Sequence, residues 1–455
     1  MENKVTVRNP ITEGCIWKGM LLFALPIMLG SLLQQLYNMV DSVVVGNYVG
    51  SSALTAVGAG FSIMFLISSL FLGFSMGATI MIAQYVGAGD QGAVGRTVDT
   101  IYSALLVIIV PLTLLGVLAS GPLLTLIRVP QEAYEQARTY CMVVLGGIIG
   151  TLGYNMNSGI MRGLGDSRTP LIFLFIACVI NIVLDPIFIL ILGMGAGGAA
   201  LATVIGNGAV TVYLLLFIKR KAKVMCLDPR LARHGGKELG KVLAIGLPNG
   251  VGSILSGFAS TFSNQLLAGY GTGAIAAMAA AGRGTMIVDY LVMAVCMGCQ
   301  SIIAYSYGAR NMERLREIMR KLLILVAGLG FAVLALCLIF REGLIGLFLK
   351  EEAAGLMGQQ MLCILMLSAP LIGVGYLITS YFQARNCPVK ALVISVLRQG
   401  ALLIPCLYLL NCFWKLWGVV WANTAACILA ALIAVGFYLV QKKIDGKKEI
   451  FYRNA

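Results

Sequence analysis

The sequence predicts an all-α polytopic membrane protein: 12 transmembrane helices in two six-helix lobes related by a parallel internal repeat. Three observations carry this. Over 455 residues the mean hydropathy is +0.91 with only 11% charged side chains, outside the balance of soluble globular domains. Apolar stretches of about 20 residues, the length that crosses a bilayer core, recur from end to end between short polar or glycine-rich breaks. Written over itself with a shift of about 220 residues, the chain aligns with itself.

The expected spans are 17–44, 53–83, 98–118, 137–159, 171–192, 195–218, 242–268, 275–305, 322–340, 357–381, 391–410 and 416–440. The first is too long for a signal peptide and has no small-residue cleavage site, so the N-terminus is expected to be retained. Its residues Gln34, Tyr37, Asn38 and Asp41 recur every three to four positions and form one polar stripe on an apolar rod. The stripe must face the bundle interior. Pro26, early in this span, removes a backbone hydrogen bond and is expected to kink it, as Pro248 is in the seventh. Asn181 and Asp185, four residues apart in the fifth span, share a face, and Thr203 lies early in the sixth. Counting from the helix ends puts Asp41, Asp185 and Thr203 at similar depth, roughly 10 Å from the outer surface. The eighth span carries Arg283 and Asp289, six apart and so on different faces, and the eleventh carries Arg398 and Gln399. Asp289 is expected to pair with Arg398 across helices rather than with Arg283.

The repeat lays Leu25-Pro26 on Leu247-Pro248, Met76-Gly77 on Met297-Gly298, Gly87-Ala88 on Gly308-Ala309 and Gly153-Tyr154 on Gly375-Tyr376, with Pro170 on Pro388 and Gly198 on Gly418. Six spans per half is an even number, so both halves share one orientation. The expected division is a lobe at 1–218, a basic cytoplasmic linker at 219–241, and a second lobe with its tail at 242–455.

The net charge of +14 is placed by topology rather than by nucleic acid. Lys4, Arg8, Lys18, Arg162, Arg168, the stretches 219–241 and 310–321, Arg385, Lys390 and 442–453 fall in alternate loops. The opposite loops hold chiefly Arg128, Arg138, Arg341, Lys350 and Lys415. Positive-inside bias puts both termini in the cytoplasm of a multi-pass protein of the cell (inner) membrane. The twelve cysteines behave as small hydrophobes within spans; Cys296 and Cys299 have C-x-x-C spacing without other ligand types nearby, and His234 is solvated in the basic linker.

Chemistry concentrates in the first half. Two acids in one dehydrated pocket repel, so one should take up a proton or both should share a cation, with Asn181 and Thr203 supplying donors and oxygens. Intramembrane acids are rare and expensive, which weighs function above a static network. In the second half the equivalent positions are Ser263 for Asp41, Gln399 for Asn181 and Leu403 for Asp185.

Four segments together resemble the multidrug and toxic compound extrusion family in its DinF-like branch: A-L-P-I-M in the first span, Y-N-M-V-D-S ending at Ser42, M-x-G-x-G-D-S-R-T-P at 161–170 and N-I-V-L-D-P at 181–186. The resemblance covers essentially the whole chain. It implies two six-helix lobes in a V, exporting amphipathic, often cationic compounds in exchange for protons or sodium. It implies a first-lobe cation site of Asp41, Asn181, Asp185 and Thr203, a neighbouring substrate cavity with Gln34, Tyr37, Asn155 and Asn157, and a bend of the first helix at Pro26. The NorM-like branch has a key acid in the seventh helix. Here Ser256 stands near that position, so a second-lobe sodium site is not expected.

The expected activity is therefore secondary active antiport by alternating access, with H+ or Na+ as the coupling ion and no other cofactor or metal. Its partners are small amphipathic molecules and the lipid bilayer, with no nucleic acid, and the resemblance implies a monomer. The second-lobe candidates Arg283, Asp289, Arg398 and Gln399 allow either an ion pair or substrate contact. A flippase for lipid-linked oligosaccharide is the alternative; it would need more cations in the spans than Arg283 and Arg398. An enzyme is not expected, since the sequence has no Walker loop, H-E-x-x-H or serine–histidine arrangement.

Overall fold

The computed structural model describes residues 15–49, 51–126, 129–222, 236–349 and 351–454. The linker with His234 lies outside the described residues, apart from its two ends. In chain order the helices are α1 Ile16–Tyr48, α2 Ser51–Ala88, α3 Gln91–Leu126, α4 Gln131–Gly146, α5 Ile148–Gly163, α6 Arg168–Pro186 and α7 Gly195–Ala222. They continue as α8 Gly236–Ala268, α9 Thr272–Gly308, α10 Met312–Ile339, α11 Arg341–Gly346, α12 Glu352–Met366, α13 Ala369–Ala384, α14 Pro388–Val396 and α15 Leu403–Asn454. Among the described residues nine helical stretches are long and apolar enough to cross a bilayer, and two bent pairs qualify together. The last stretch, Pro388–Asp445, breaks at Lys415, whose backbone leaves the helical region at φ 50°, ψ −128°. Divided there, it supplies the eleventh and twelfth spans.

Two expected spans are not straight rods. The fourth is α4 and α5 bent by 46° at Gly147, and the tenth is α12 and α13 bent by 42° after Met366. At Gly147 a β-carbon would overlap the side chain of Val204, so the bend closes α7 onto this corner. Helices turn apolar side chains outward along their length, Leu118 (75% exposed) and Leu432 (60%) among them, as lipid requires and water would not tolerate.

The repeat is written in the backbone as well. Left-handed residues recur at matching places: Gly89 (φ 74°) and Arg310 (φ 56°), Gly165 (φ 96°) and Asn386 (φ 56°), Gly195 (φ 58°) and Lys415 (φ 50°). Glycine takes this conformation without steric cost; the second half holds it with ordinary side chains. The fifth span of each half also contains one π-helical turn, Ile187–Ile191 and Leu397–Ala401.

The chain forms two compact units, Met1–Gly246 with Ala304–Arg310, and Leu247–Ile303 with Asn311–Ala455. The expected second lobe at 242–455 therefore gives up both its first residues and 304–310. The cause is close backbone packing on α2. A β-carbon at Gly77 would overlap the carbonyl of Val242, one at Gly87 that of Tyr305, and one at Gly308 that of Gln84. With little hydrophobic drive between helices in lipid, such small-residue contacts decide which helices associate.

Candidate transport site

Helix α6 starts on a cap supplied by the motif at 161–170. Asp166 Oδ1 accepts from the backbone N–H of Arg168 (3.1 Å) and Thr169 (3.0 Å), and Oδ2 accepts from the Thr169 hydroxyl (2.6 Å). Gly165 makes the preceding turn, and the helix then runs to Pro186. Proline cannot donate to the carbonyl four residues back, and the backbone widens into the π-helical turn directly after it. Asp185 thus sits where the helix loosens.

Asn181 and Asp185 are 2% and 1% exposed. With the Asn181 amide turned to satisfy both neighbours, Nδ2 donates to Asp185 Oδ2 (2.7 Å), and Oδ1 accepts from the Thr203 hydroxyl (3.2 Å) and backbone N–H (3.0 Å). Thr203 reaches this position because Gly206, one turn on, lets α7 close on α6: a β-carbon there would stand 3.0 Å from the Ala177 carbonyl. Beside it, Ala177, Val210 and Leu214 form a dry core with Tyr154 and Phe173 against it. From α1, the Tyr37 hydroxyl lies 2.7 Å from Thr203 Oγ1.

The structure therefore brings Asn181, Asp185, Thr203 and Tyr37 together. Tyr37, expected in the substrate cavity, is half-buried and bonded to Thr203. Asp41 lies on α1, but its side chain, like that of Asn38, is outside the described residues. Gln34 is exposed on α1, and Pro26 is half-buried within a helix assigned without interruption.

Asn155 and Asn157 separate from this group. Asn155 is half-buried and its backbone carbonyl accepts from Ser75 Oγ (2.7 Å). Asn157 is 0% exposed, so it does not line a cavity as expected. Its oxygen accepts from the Tyr102 hydroxyl and its nitrogen donates to the Thr211 carbonyl (3.1 Å). This ties three helices into a satisfied polar joint. Nothing in the local pattern of α5 distinguishes such a joint from a cavity wall.

In the second unit, Arg283 is exposed and lies over the Phe348 ring at 5.9 Å, apart from the other candidates. Arg398 stacks on Tyr376, its guanidinium carbon 3.9 Å from the ring centroid. The expected Asp289–Arg398 ion pair does not form among the described residues; Arg398 lies over Tyr376 instead. A cation over an aromatic face is attracted by the ring, a contact between two helices that spacing along one of them does not reveal. Gln399 is half-buried and lies against Gly252 of α8. Sequence reading missed Tyr376; its repeat partner Tyr154, which donates to the Pro170 carbonyl (3.3 Å), was the available signal.

Two further features lie elsewhere in this unit. A cavity of about 590 Å³ is lined by Arg341, Gln359, Gln360 and Trp417 among others. At the other end of the spans, Arg385 binds Asp445 through both oxygens, the longer contact being 3.0 Å, while Lys390 donates to Gln441 (2.7 Å) and Gln441 to Asp445 (3.0 Å). Burial opposes the Arg385 charge, but Asp445 and Tyr381 together, through hydrogen bonds and charge, outweigh it and hold its pKa above the ordinary value.

The MatE family profile matches this chain twice, over residues 26–187 and again over 248–409, the same duplication seen in the backbone. The chain is 28% identical to the multidrug export protein MepA of Staphylococcus aureus, over 94% of this chain and 95% of that one. It is 28% identical to the probable multidrug resistance protein YpnP of Bacillus subtilis, over 87% and 88%. A crystal structure described as MATE in the bent conformation superposes with a TM-score of 0.88 at 26% identity, covering 98% of this chain and 99% of the other. A twice-matched family profile, a series of apolar spans and a backbone that repeats its turns agree: the chain belongs to the MatE family of multi-pass membrane transporters.

Proposed function

We propose that this transporter exports amphipathic, mainly cationic compounds by alternating access in exchange for H+. The observation that carries the reading is the Asn181–Asp185–Thr203 cluster inside membrane helices, its acid and amide buried and the three joined by hydrogen bonds. The names of MepA and YpnP support drug export as the cargo class.

Asn181 suits a proton. When Asp185 is ionised, the amide nitrogen faces it at 2.7 Å and the amide oxygen faces Thr203. When Asp185 is protonated, the amide can turn over, its oxygen accepting the carboxyl proton while Nδ2 donates to Thr203 Oγ1 (3.2 Å). Thr203 is bonded to Tyr37, so the turn of one amide is transmitted to α1. Asp41, four residues beyond Tyr37 on the same face, and the bend at Pro26 complete the coupling path in this reading. One charge moving through 100 mV supplies about 2.3 kcal/mol, before any concentration gradient.

Sodium is the second reading. It requires the Asn181 oxygen, the Thr203 hydroxyl and the Asp185 carboxylate to converge on one ion, which the same amide could also allow. The flippase alternative has less support, since it would need more cations in the spans than Arg283 and Arg398. The remaining expectations, cytoplasmic termini, an inner-membrane location and a monomer, belong to the same proposal.

Proteoliposomes with independently imposed proton and sodium gradients, loaded with ethidium, test it. A proton gradient alone should drive dye movement, and Asp185→Asn should abolish the gradient dependence. Movement driven only by sodium would refute proton coupling; unchanged coupling in Asp185→Asn would refute the site.

A further inference from the structure

Three span ends of the second unit meet around the cavity of about 590 Å³, a size that holds small ligands. Arg341 opens α11 directly after α10, α12 starts at Glu352 after a short connection, and Trp417 follows the break at Lys415. Helix α12 supplies the main wall. Leu356, Gln359, Gln360, Cys363 and Ile364 follow the three-and-four spacing of one helix face, and the two glutamines stand roughly 10 Å in from the start of the helix. The Thr424 hydroxyl donates to the Ile364 carbonyl (2.8 Å) and so holds α15 on α12 beside the cavity.

The lining is divided by chemistry. Arg341 brings a permanent positive charge, and its Nη1 donates to Cys363 Sγ (3.9 Å), a weak acceptor. Glu342, Glu351 and Glu352 belong to the same turns, and none of them forms an ion pair with Arg341 among the described residues. Gln359 and Gln360 add amide donors and acceptors. Leu356, Ile364 and the ring of Trp417 make the remainder apolar, and one turn beyond Ile364 the same face continues with the exposed Leu367.

The level of the cavity is that of lipid head groups. Ile339 and Phe340 end the apolar part of α10 as exposed side chains, and the charged pair Arg341 and Glu342 follows at once. Tryptophan is enriched at this depth of a bilayer. A cation with amides beside it, continued by exposed aliphatic side chains, matches the sequence of groups in a phospholipid: phosphodiester, glycerol and ester oxygens, acyl chain. A soluble anion would leave the apolar side unused, and a purely apolar molecule would leave Arg341 unused.

We infer that this cavity binds the head group of a phospholipid, Arg341 taking the phosphodiester and Gln359 and Gln360 its neighbouring oxygens, with an acyl chain along Ile364 and Leu367. Asn181, Asp185 and Thr203 belong to the other unit, and the inference does not depend on the export reading. Only the leaflet that supplies the lipid follows from the orientation proposed there.

The test is a titration of the full-length protein, delipidated in detergent, with dioctanoylphosphatidylglycerol, bound molecules being counted by native mass spectrometry. Dioctanoylglycerol, which lacks the phosphodiester, and glycerophosphoglycerol, which lacks the chains, are the parallel probes. One phosphatidylglycerol should bind at least about tenfold more tightly than either probe, the worth of one charge-assisted contact or of a few buried methylenes. Arg341→Gln should weaken phosphatidylglycerol binding by at least about tenfold and leave dioctanoylglycerol binding unchanged. Arg138→Gln, which removes an exposed arginine of the first unit, should change neither. Equal binding of the phospholipid and glycerophosphoglycerol would make this a site for free phosphoesters and overturns the lipid; equal binding of the phospholipid and dioctanoylglycerol overturns the head-group recognition. Both comparisons use the wild type alone, so neither needs a variant to fold. An Arg341→Gln protein with wild-type affinity, or an equal loss in Arg138→Gln, overturns the inference as well.

Discussion

The hydroxyl of Tyr37 lies 2.7 Å from Oγ1 of Thr203 and so joins α1 to the pair Asn181 and Asp185 through a single side chain. Hydrogen bonds between membrane helices are worth about 0.6 to 1.7 kcal/mol. Tyr37→Phe should therefore slow gradient-driven ethidium export by about three- to twentyfold without abolishing it. Thr203→Val, which removes the partner of both Tyr37 and Asn181, should come close to Asp185→Asn. Initial export rates in proteoliposomes decide this; full activity in Tyr37→Phe would remove α1 from the coupling path.

Asn157 is expected to act on stability. Asn157→Leu strands the Tyr102 hydroxyl and the Thr211 carbonyl, each at a cost of about 1–3 kcal/mol if left unpaired. Thermal unfolding in detergent should fall clearly while the relative rates over a dye panel stay fixed. A changed substrate profile at unchanged stability would restore the cavity role.

Gly308 and Gly328 should respond in opposite ways to alanine. At Gly308 the added carbon meets the Gln84 carbonyl, backbone that cannot move aside, whereas at Gly328 nothing lies within 4 Å. Gly308→Ala should cost at least about 1–3 kcal/mol, and Gly328→Ala should be neutral or slightly stabilising. Expression level and melting temperature of the two variants measure the difference.

Lys415 holds φ 50°, ψ −128°, and its repeat counterpart Gly195 takes a positive φ of 58° with glycine. Lys415→Gly should stabilise the protein by about 1 kcal/mol, relief of left-handed strain exceeding the entropy that glycine adds to the unfolded chain. A lower melting temperature would mean that the lysine side chain contributes more than the strain costs.

Arg385 and Asp445 tie α13 to the far end of α15 with side chains 11% and 24% exposed. Arg385→Ala should cost about 1–3 kcal/mol, because Asp445 keeps its charge in a partly buried place. Replacing both residues should cost less than the sum of the single changes. Additive losses in a double-mutant cycle would show the pair to be uncoupled.

The sequence by itself determined what depends on one segment or on its copy. Composition and span length gave the membrane class, the 220-residue shift gave the duplicated architecture, and a four-residue spacing put Asn181 and Asp185 on one face, because a helix brings such positions together whatever surrounds it. Only the tertiary structure decided the rest. Tyr37 met Thr203, Asn157 closed into a joint, and Arg398 took Tyr376 instead of Asp289. The boundary of the first unit moved to take in Ala304–Arg310. Each of these outcomes depends on how closely two distant helices approach. In lipid that approach is set by small residues such as Gly206 and Gly308 meeting another backbone, a relation between separate segments that no single helical period contains.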